Sequence, residues 1–180
     1  MNLQQHTLIL FLIMTGIVVS AQAPLNDDCA AAILITPSTN YFCEYNYTQG
    51  STLNATNSGM SETCGAIGDD DVWYKFAATH EIHYIYVGPN MGNDPDLVIS
   101  VYNGSCGALD SITCANSNGV YSSEELILSG LTIGDTIYLR IFDGSSGVSD
   151  LVFDLCVYSP PINDDCEGAI DINPISNEYS

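Results

Sequence analysis

Hydrophobic and polar residues alternate with a period of two along much of the chain. Val72, Tyr74 and Phe76 fall on one side of such a segment, and Trp73 and Lys75 fall on the other. Because neighbouring side chains in a strand point to opposite faces, this pattern predicts strands of a packed sheet. Eight segments of this character, rich in β-branched and aromatic residues, are separated by Gly, Asn, Asp and Pro: 41–48, 71–78, 81–87, 96–102, 109–114, 124–129, 135–142 and 150–158.

Helical periodicity is missing from the sequence after residue 23, apart from a candidate turn near 29–33. Parallel sheets need crossover connections, which are usually helices, so the short strands favour antiparallel pairing. The sequence therefore predicts an all-β fold. We expect an antiparallel β-sandwich that is jelly-roll-like and stabilised by disulfides.

The first 23 residues have the character of a secretory signal peptide. A polar start precedes an apolar run over 8–19, and small residues follow at 20–23. The run is too short to span a bilayer comfortably, and no second long apolar run occurs in the sequence. We therefore expect no membrane span, and a secreted or cell-surface location where cysteines pair as disulfides.

An internal repeat divides the rest of the chain. The stretch from 26 to 43, which begins NDDC, aligns with 163–180 at nine identities in 18 positions. Such self-similarity indicates tandem modules. We expect one β-sandwich module over 24–158, a Pro-rich linker over 159–162, and the truncated start of a second module over 163–180.

Charge excludes several classes of partner. The chain has 22 Asp and Glu against 2 Lys and Arg, a formal net charge of −20. This composition gives no basic surface for nucleic acid, and it disfavours an anionic membrane. Fifteen of the acids are Asp, which favours turns, whereas Glu favours helices.

Seven cysteines are best interpreted as six in the first module plus Cys166, the counterpart of Cys29 in the repeat. Cys106 and Cys114 flank a short segment between two predicted strands, so we predict that they pair. Four cysteines keep an open pairing, with a slight preference for Cys43–Cys64: Cys29, Cys43, Cys64 and Cys156. Zinc is disfavoured because no C-x-x-C pair occurs, and His80 and His83 are one residue too close for the zinc-protease motif.

Clusters of aspartate offer the best candidate metal site. They lie in predicted loops before two strands: Asp69, Asp70, Asp71, Asp94 and Asp96. Oxygen-rich loops of this kind suit Ca²⁺, which takes six to eight oxygen ligands, so calcium is the one candidate cofactor. The alternative is that these residues cap turns and keep an exported surface soluble.

Several motifs in a fixed order resemble a known family. They are NDDC-x-x-A-I at 26–33, DDDVWYKF at 69–76, DLVISVYNGSC at 96–106, ITCAN at 112–116 and a strand motif at 131–141. The chain resembles the repeated β-sandwich modules of large secreted bacterial proteins of the type IX secretion system. Those modules are similar to the bacterial pre-peptidase C-terminal domain. By position, Asp71 and Asp96 fall on recurrent acidic sites of the family; Trp73, Tyr74 and Tyr102 fall on aromatic ones, where core packing is the favoured role.

The resemblance implies a non-catalytic role. No G-x-S-x-G elbow or Gly-rich phosphate loop is present in the sequence, and we expect no enzyme activity. We expect an extracellular binding or adhesion module of a larger bacterial protein. Its expected partners are a glycan or protein at the cell surface, together with neighbouring modules of the same chain. The alternative is an accessory domain of a secreted peptidase or glycan hydrolase whose catalytic domain lies outside this chain.

Overall fold

The computed structural model describes residues 22–61, 64–91, 96–145, 151–161 and 169. The predicted signal peptide over 1–23 lies almost entirely outside the described residues, and so does the predicted second module over 163–180. Both therefore stay predictions.

The described residues form two β-sheets. The five-stranded sheet has the order β1-β3-β8-β5-β6, and the four-stranded sheet has the order β2-β9-β4-β7. Neighbouring strands run antiparallel except for β1 and β3, which run parallel. The strands are β1 (Ile33–Leu34), β2 (Thr48–Ser51), β3 (Asp71–Ala77), β4 (His83–Met91), β5 (Leu97–Ser105), β6 (Ala108–Ala115), β7 (Glu124–Leu128), β8 (Thr136–Asp143) and β9 (Val152–Tyr158).

One hydrophobic core lies between the two sheets. Val72, Tyr74 and Phe76 of β3 belong to the same buried cluster as Ile85 of β4 and Phe153 of β9. The inward residues of β5 and β8 also follow the predicted alternation: Leu97, Ile99, Val101, Ile137, Leu139 and Ile141. The predicted all-β sandwich is confirmed, and seven of the eight predicted strands correspond to β3 through β9.

The outer face of the five-stranded sheet is also buried along its central strands β3, β8 and β5. Trp73 and Tyr102 pack there with ring centroids 5.7 Å apart, and neither side chain is exposed by more than 2%. Ala66, from the loop before β3, packs on Val98 and Phe142 of the same face. Trp73, Tyr74 and Tyr102 are therefore packing residues, as the sequence predicts.

The NDDC motif attaches the N-terminal segment to β3. The Asn26 side-chain amide donates to the Trp73 carbonyl at 3.0 Å, and the Trp73 N–H donates to the Asn26 carbonyl at 2.8 Å. Asp27 accepts from the backbone N–H of Thr56 at 2.6 Å and from its hydroxyl at 2.7 Å. Asn26 thus pairs with β3 as a strand residue would, and Asp27 holds the loop that crosses the sheet.

The predicted strand over 41–48 is wrong for most of its length. Tyr41–Tyr45 forms a 3₁₀ turn, and β2 begins only at Thr48. Four consecutive residues of this turn have positive φ: Phe42 at 52°, Cys43 at 52°, Glu44 at 50° and Tyr45 at 64°. None of the four is glycine, so each costs free energy, roughly 1 to 2 kcal/mol. Tertiary contacts hold this left-handed turn against its local preference.

The predicted Cys106–Cys114 disulfide is also wrong. Cys106 lies at the tip of a tight hairpin in which Ser105 pairs with Ala108, whereas Cys114 pairs with Ser100 further along the ladder. At about 3.3 Å per strand residue, the two cysteines are separated by far more than the roughly 7 Å that a disulfide can bridge. The described residues form three other pairs: Cys29–Cys106, Cys43–Cys156 and Cys64–Cys114.

The preferred Cys43–Cys64 pair is wrong for a topological reason. Cys43 belongs to the turn beside the four-stranded sheet and bonds to Cys156 of β9. Cys64 belongs to the loop before β3 and bonds to Cys114 of the five-stranded sheet. The two loops cross opposite faces of the sandwich, so cysteines that are near in sequence lie on different sides of the core.

Candidate functional site

The outer face of the four-stranded sheet carries seven aromatic rings, which we call the aromatic face. They are Tyr41, Phe42, Tyr45, Tyr47, Tyr84, Tyr86 and Tyr158. Tyr84 and Tyr86 alternate on β4, and Tyr158 stands directly opposite Tyr84 on β9. The strand period of two places these three side chains on one face.

Ring contacts connect the face into one surface. Tyr84 and Tyr158 stack at 5.0 Å with their planes 12° apart. Phe42 lies 4.5 Å from Tyr86, and the Tyr47 ring lies 5.8 Å from Tyr86. Tyr41 completes the surface with its edge toward Tyr158 at 5.6 Å.

The surface is accessible at its rim. Tyr41 is 76% exposed and Tyr45 is 79% exposed, while Tyr158 is nearly buried beneath its neighbours. A groove of about 230 Å³ runs between these rings and β7, where Glu125 and Ile127 form part of its lining. Gly88 leaves room for the Tyr86 ring, because a Cβ at that position would collide with the Tyr86 hydroxyl.

The left-handed turn presents the most exposed rings. The Cys43–Cys156 disulfide ties it to β9, and the Asn46 N–H donates to the Cys43 carbonyl at 2.9 Å. Backbone strain of this kind persists where the surrounding structure over-determines it, and it is concentrated at ligand-binding sites.

Polar groups border the aromatic face. Asp154 on β9 accepts from the Asn90 side-chain amide at 2.8 Å, and both belong to strands that carry the rings. Burial raises the pKa of Tyr86, a hydrogen bond to Ser123 opposes this, and the nearby Asp154 and Glu125 raise it further. The hydroxyl therefore stays protonated at neutral pH and can both donate and accept.

Those predicted calcium residues that the structure describes, Asp69, Asp70, Asp71 and Asp96, lie at one end of the five-stranded sheet. Asp71 forms a fully buried ion pair with Arg140 of β8, and it also accepts from the Ser58 hydroxyl at 2.6 Å. Arg140 donates further to the Gly68 carbonyl at 3.3 Å and lies 4.6 Å above the Phe142 ring. Asp71 is therefore committed to holding the preceding loop on the sheet.

Asp70 and Asp96 lie in a different environment from Asp71. Burial raises the pKa of Asp70 to about 7; a hydrogen bond from Thr52 opposes this, while Asp69 and Asp143 raise it further. Burial also raises the pKa of Asp96, and Asp143 adds to the effect. Asp143, which ends β8, is not among the predicted residues, although its D-G-S sequence indicates a strand end. Asp94 lies outside the described residues.

The described side chains do not form a metal-binding group. Among the residues that the structure describes, no three His, Cys, Asp or Glu side chains form a group that could hold a metal ion. In the same part of the chain, no helix is long and apolar enough to cross a membrane.

Comparison with known proteins identifies the family. The family model of the galactose binding domain-like modules associated with the type IX secretion system matches residues 25–155. The chain belongs to this family. No curated protein matches the chain significantly. The family has a binding or accessory fold, which suggests a non-catalytic binding module of a larger protein. Together with the disulfides, it also fits a secreted or surface location.

Proposed function

We propose that this chain is an extracellular adhesion module that binds neutral glycans on the aromatic face. The observation that carries the proposal is the continuous surface of seven rings, two of them exposed and four half-buried, beside a groove of about 230 Å³. The assignment to a galactose binding domain-like family supports it independently.

Aromatic side chains suit carbohydrate because sugar rings present C–H groups on their faces and hydroxyls around their edges. Tyrosine offers both a flat apolar ring and a hydroxyl that can donate and accept. Glu125 in the lining and Asp154 near Tyr86 supply acceptors for sugar hydroxyls. A mostly apolar groove with a few polar groups is the usual composition of a small-molecule site.

Charge selects among glycans. With a formal net charge of −20, and with Glu125 and Asp154 close to the rings, the module repels sulfated, uronic and sialylated polymers. The ligand is therefore an uncharged oligosaccharide. Removal of the predicted signal peptide would leave this net charge unchanged, because residues 1–23 contain no Asp, Glu, Lys or Arg.

Titration calorimetry of the chain against a panel of neutral oligosaccharides tests the proposal. We expect binding by the wild-type chain, and a Kd at least about tenfold weaker for Tyr84→Ala, equivalent to about 1.4 kcal/mol. Tyr41→Ala should weaken binding without a loss of stability, because this side chain is 76% exposed.

A matched control comes from the opposite side of the sandwich. Ile67 is an exposed hydrophobic residue between Ala66 and Gly68, which both contact the five-stranded sheet. Ile67→Ala should leave the Kd unchanged. Failure to bind any neutral glycan, or equal affinity of Tyr84→Ala and the wild type, would overturn the proposal; so would binding confined to a protein partner.

A further inference from the structure

A second cavity, of about 400 Å³, lies beside the left-handed turn and, among the described residues, shares no lining residue with the groove of the aromatic face. It opens where the edge of the four-stranded sheet is interrupted. β2 covers β9 as far as Leu155, opposite Thr48, and the next pairing on that side is the bridge between Ser38 and Tyr158. The part of β9 between these two pairings therefore stands at a gap in the edge. The cavity, which we call the turn cavity, occupies this gap.

The lining of the turn cavity combines an aliphatic floor with neutral polar side chains. Ile35, Leu155 and Val157 form the floor, and all three belong to the buried core. Four side chains of the cavity wall carry a hydroxyl or an amide: Thr36, Asn40, Asn46 and Thr48. In the described part of the chain, the hydrogen bonds of Asn40 and Asn46 use only their backbone groups, so both side-chain amides remain available to a ligand.

Such a lining suits one unit of a neutral sugar. Amide and hydroxyl groups both donate and accept hydrogen bonds, as sugar hydroxyls require, and the aliphatic floor can contact the C–H groups of the ring. Glu44 is the single charged side chain among the described lining residues, and it disfavours an anionic ligand here too. A volume of about 400 Å³ lies within the usual range for small-molecule sites, whereas the groove of about 230 Å³ on the aromatic face lies below it. The aromatic groove alone is therefore small for an oligosaccharide.

The turn cavity and the aromatic face meet along two segments of the chain. In the turn, Phe42 lines the groove and the next residue, Cys43, lines the cavity; on β9, Tyr158 lines the groove and Val157 lines the cavity. Consecutive Cα atoms are only about 3.8 Å apart, so the two sites are immediate neighbours. The Cys43–Cys156 disulfide joins the two segments and fixes their separation.

We propose that the turn cavity is a second subsite for the neutral oligosaccharide of the aromatic face, and that it takes one sugar unit while the other units lie on the rings. This inference rests on the proposed function. Two linked contacts raise the affinity of one ligand, because the second contact forms at a high effective concentration once the first is made. Ligand length therefore becomes a specificity determinant: a disaccharide reaches one subsite, whereas a hexasaccharide reaches both.

Calorimetric titration of the full chain with neutral gluco-, manno- and galacto-oligosaccharides, from disaccharide to hexasaccharide, tests the subsite. We expect the wild-type chain to bind the hexasaccharide of its preferred sugar at least about tenfold more tightly than the disaccharide. The double variant Asn46→Ala with Thr48→Ala should lose this advantage and keep the disaccharide Kd within about twofold. Its fold should persist, because Asn46 and Thr48 join the turn and the sheet through their backbone groups.

Two further variants make the test independent of that double change. Thr36→Trp places a bulky ring at an exposed position of the cavity wall, and it should abolish the same advantage without a loss of stability. Gln49→Ala is the matched control, because Gln49 follows Thr48 on β2, is exposed and lies outside the lining. This control should keep the full dependence on ligand length.

The outcomes separate the subsite from the proposed function. If the wild type binds no neutral glycan, both fail. If Tyr84→Ala weakens binding but the wild type binds disaccharide and hexasaccharide equally, the subsite is overturned and the proposed function stands. Retention of the length advantage in Thr36→Trp or in the double variant also overturns the subsite. An equal weakening of both ligands does so as well, since the change then acts through the aromatic face.

Discussion

Tyr84 and Tyr158 lie directly opposite each other on β4 and β9, and their rings stack at 5.0 Å with an angle of 12° between the planes. Strand pairing thus creates the flat centre of the aromatic face before any loop contributes. The stacked pair should contribute both to stability and to ligand binding, and these two roles can be measured separately.

A double-mutant cycle on this pair measures its contribution to stability. Removal of both rings together should cost less than the sum of the single changes Tyr84→Ala and Tyr158→Ala, with a coupling of about 0.5 to 1.5 kcal/mol. Urea denaturation of the four proteins gives the free energies of unfolding. Additive losses would mean that the rings pack independently despite their stacked arrangement.

Two disulfides provide a matched pair of tests. Replacing Cys43 and Cys156 by Ser should lower the free energy of unfolding by about 2 to 5 kcal/mol. It should also abolish glycan binding, because the left-handed turn is no longer tied to β9.

The control for the disulfide test replaces Cys64 and Cys114 on the other side of the sandwich. It should destabilise the fold to a similar degree while leaving the glycan Kd within about twofold. Denaturant unfolding and calorimetry below the Tm of both variants check this. Equal loss of binding in both variants would show that the effect comes from general destabilisation.

The buried Asp71–Arg140 ion pair predicts strong non-additivity. Arg140→Met should destabilise the protein by about 3 to 5 kcal/mol, because it leaves the buried Asp71 carboxylate uncompensated. The double variant with Asp71→Asn should recover part of that loss, since no buried charge then remains. Chemical denaturation at pH 7 tests this, and a double variant less stable than Arg140→Met would contradict it.

His83 predicts a loss of stability in acid. Burial lowers the pKa of this fully buried histidine, and the neighbouring His80 lowers it further, while the backbone of Tyr158 opposes the shift. Its Nε2 accepts from the Thr79 N–H at 3.0 Å, and Phe76 packs on its ring. Because the folded-state pKa lies below the unfolded value, the unfolded state binds the proton more readily. The contribution is complete above a pH of about 6.5 and is lost as the pH falls below that value.

The measurement is the free energy of unfolding between pH 7.5 and 5, for the wild type and for His83→Gln, in EDTA throughout. The glutamine oxygen can accept the same backbone hydrogen bonds but does not titrate. The difference between the two proteins should therefore fall with decreasing pH, at no more than about 1.4 kcal/mol per pH unit. Parallel curves would indicate that His83 titrates normally in the folded protein.

The strands were predictable because their signal is local. Val72, Tyr74 and Phe76 alternate with Trp73 in sequence as they do in the sheet, and the same holds for β5 and β8. The period of two determines which side chains share a face without knowledge of the strand order. It does not tell which outer face is covered, and only the loop contacts reveal that Trp73 is buried there.

The turn and the disulfides were not predictable for the opposite reason. The segment YFCEYNY at 41–47 has the composition of a strand, but Cys43 is bonded to a residue 113 positions away and forced into a left-handed turn. The aromatic face likewise assembles from segments that are distant in sequence. Asp143 was not predictable either, because Asp70 and Asp96, whose pKa values it raises, are its neighbours only through the ladder.

The pairing of Asn26 with Trp73 affects the border of the five-stranded sheet beside β3. Asn26 occupies the backbone hydrogen-bonding groups of Trp73 in β3, and β1 pairs with the next two residues, Tyr74 and Lys75. The edge strand on this side of the five-stranded sheet is therefore only two residues long. Long unpaired borders invite other chains to add strands and aggregate. The first residues of the module, Asn26 and β1, therefore protect this border of the sheet against pairing with another chain.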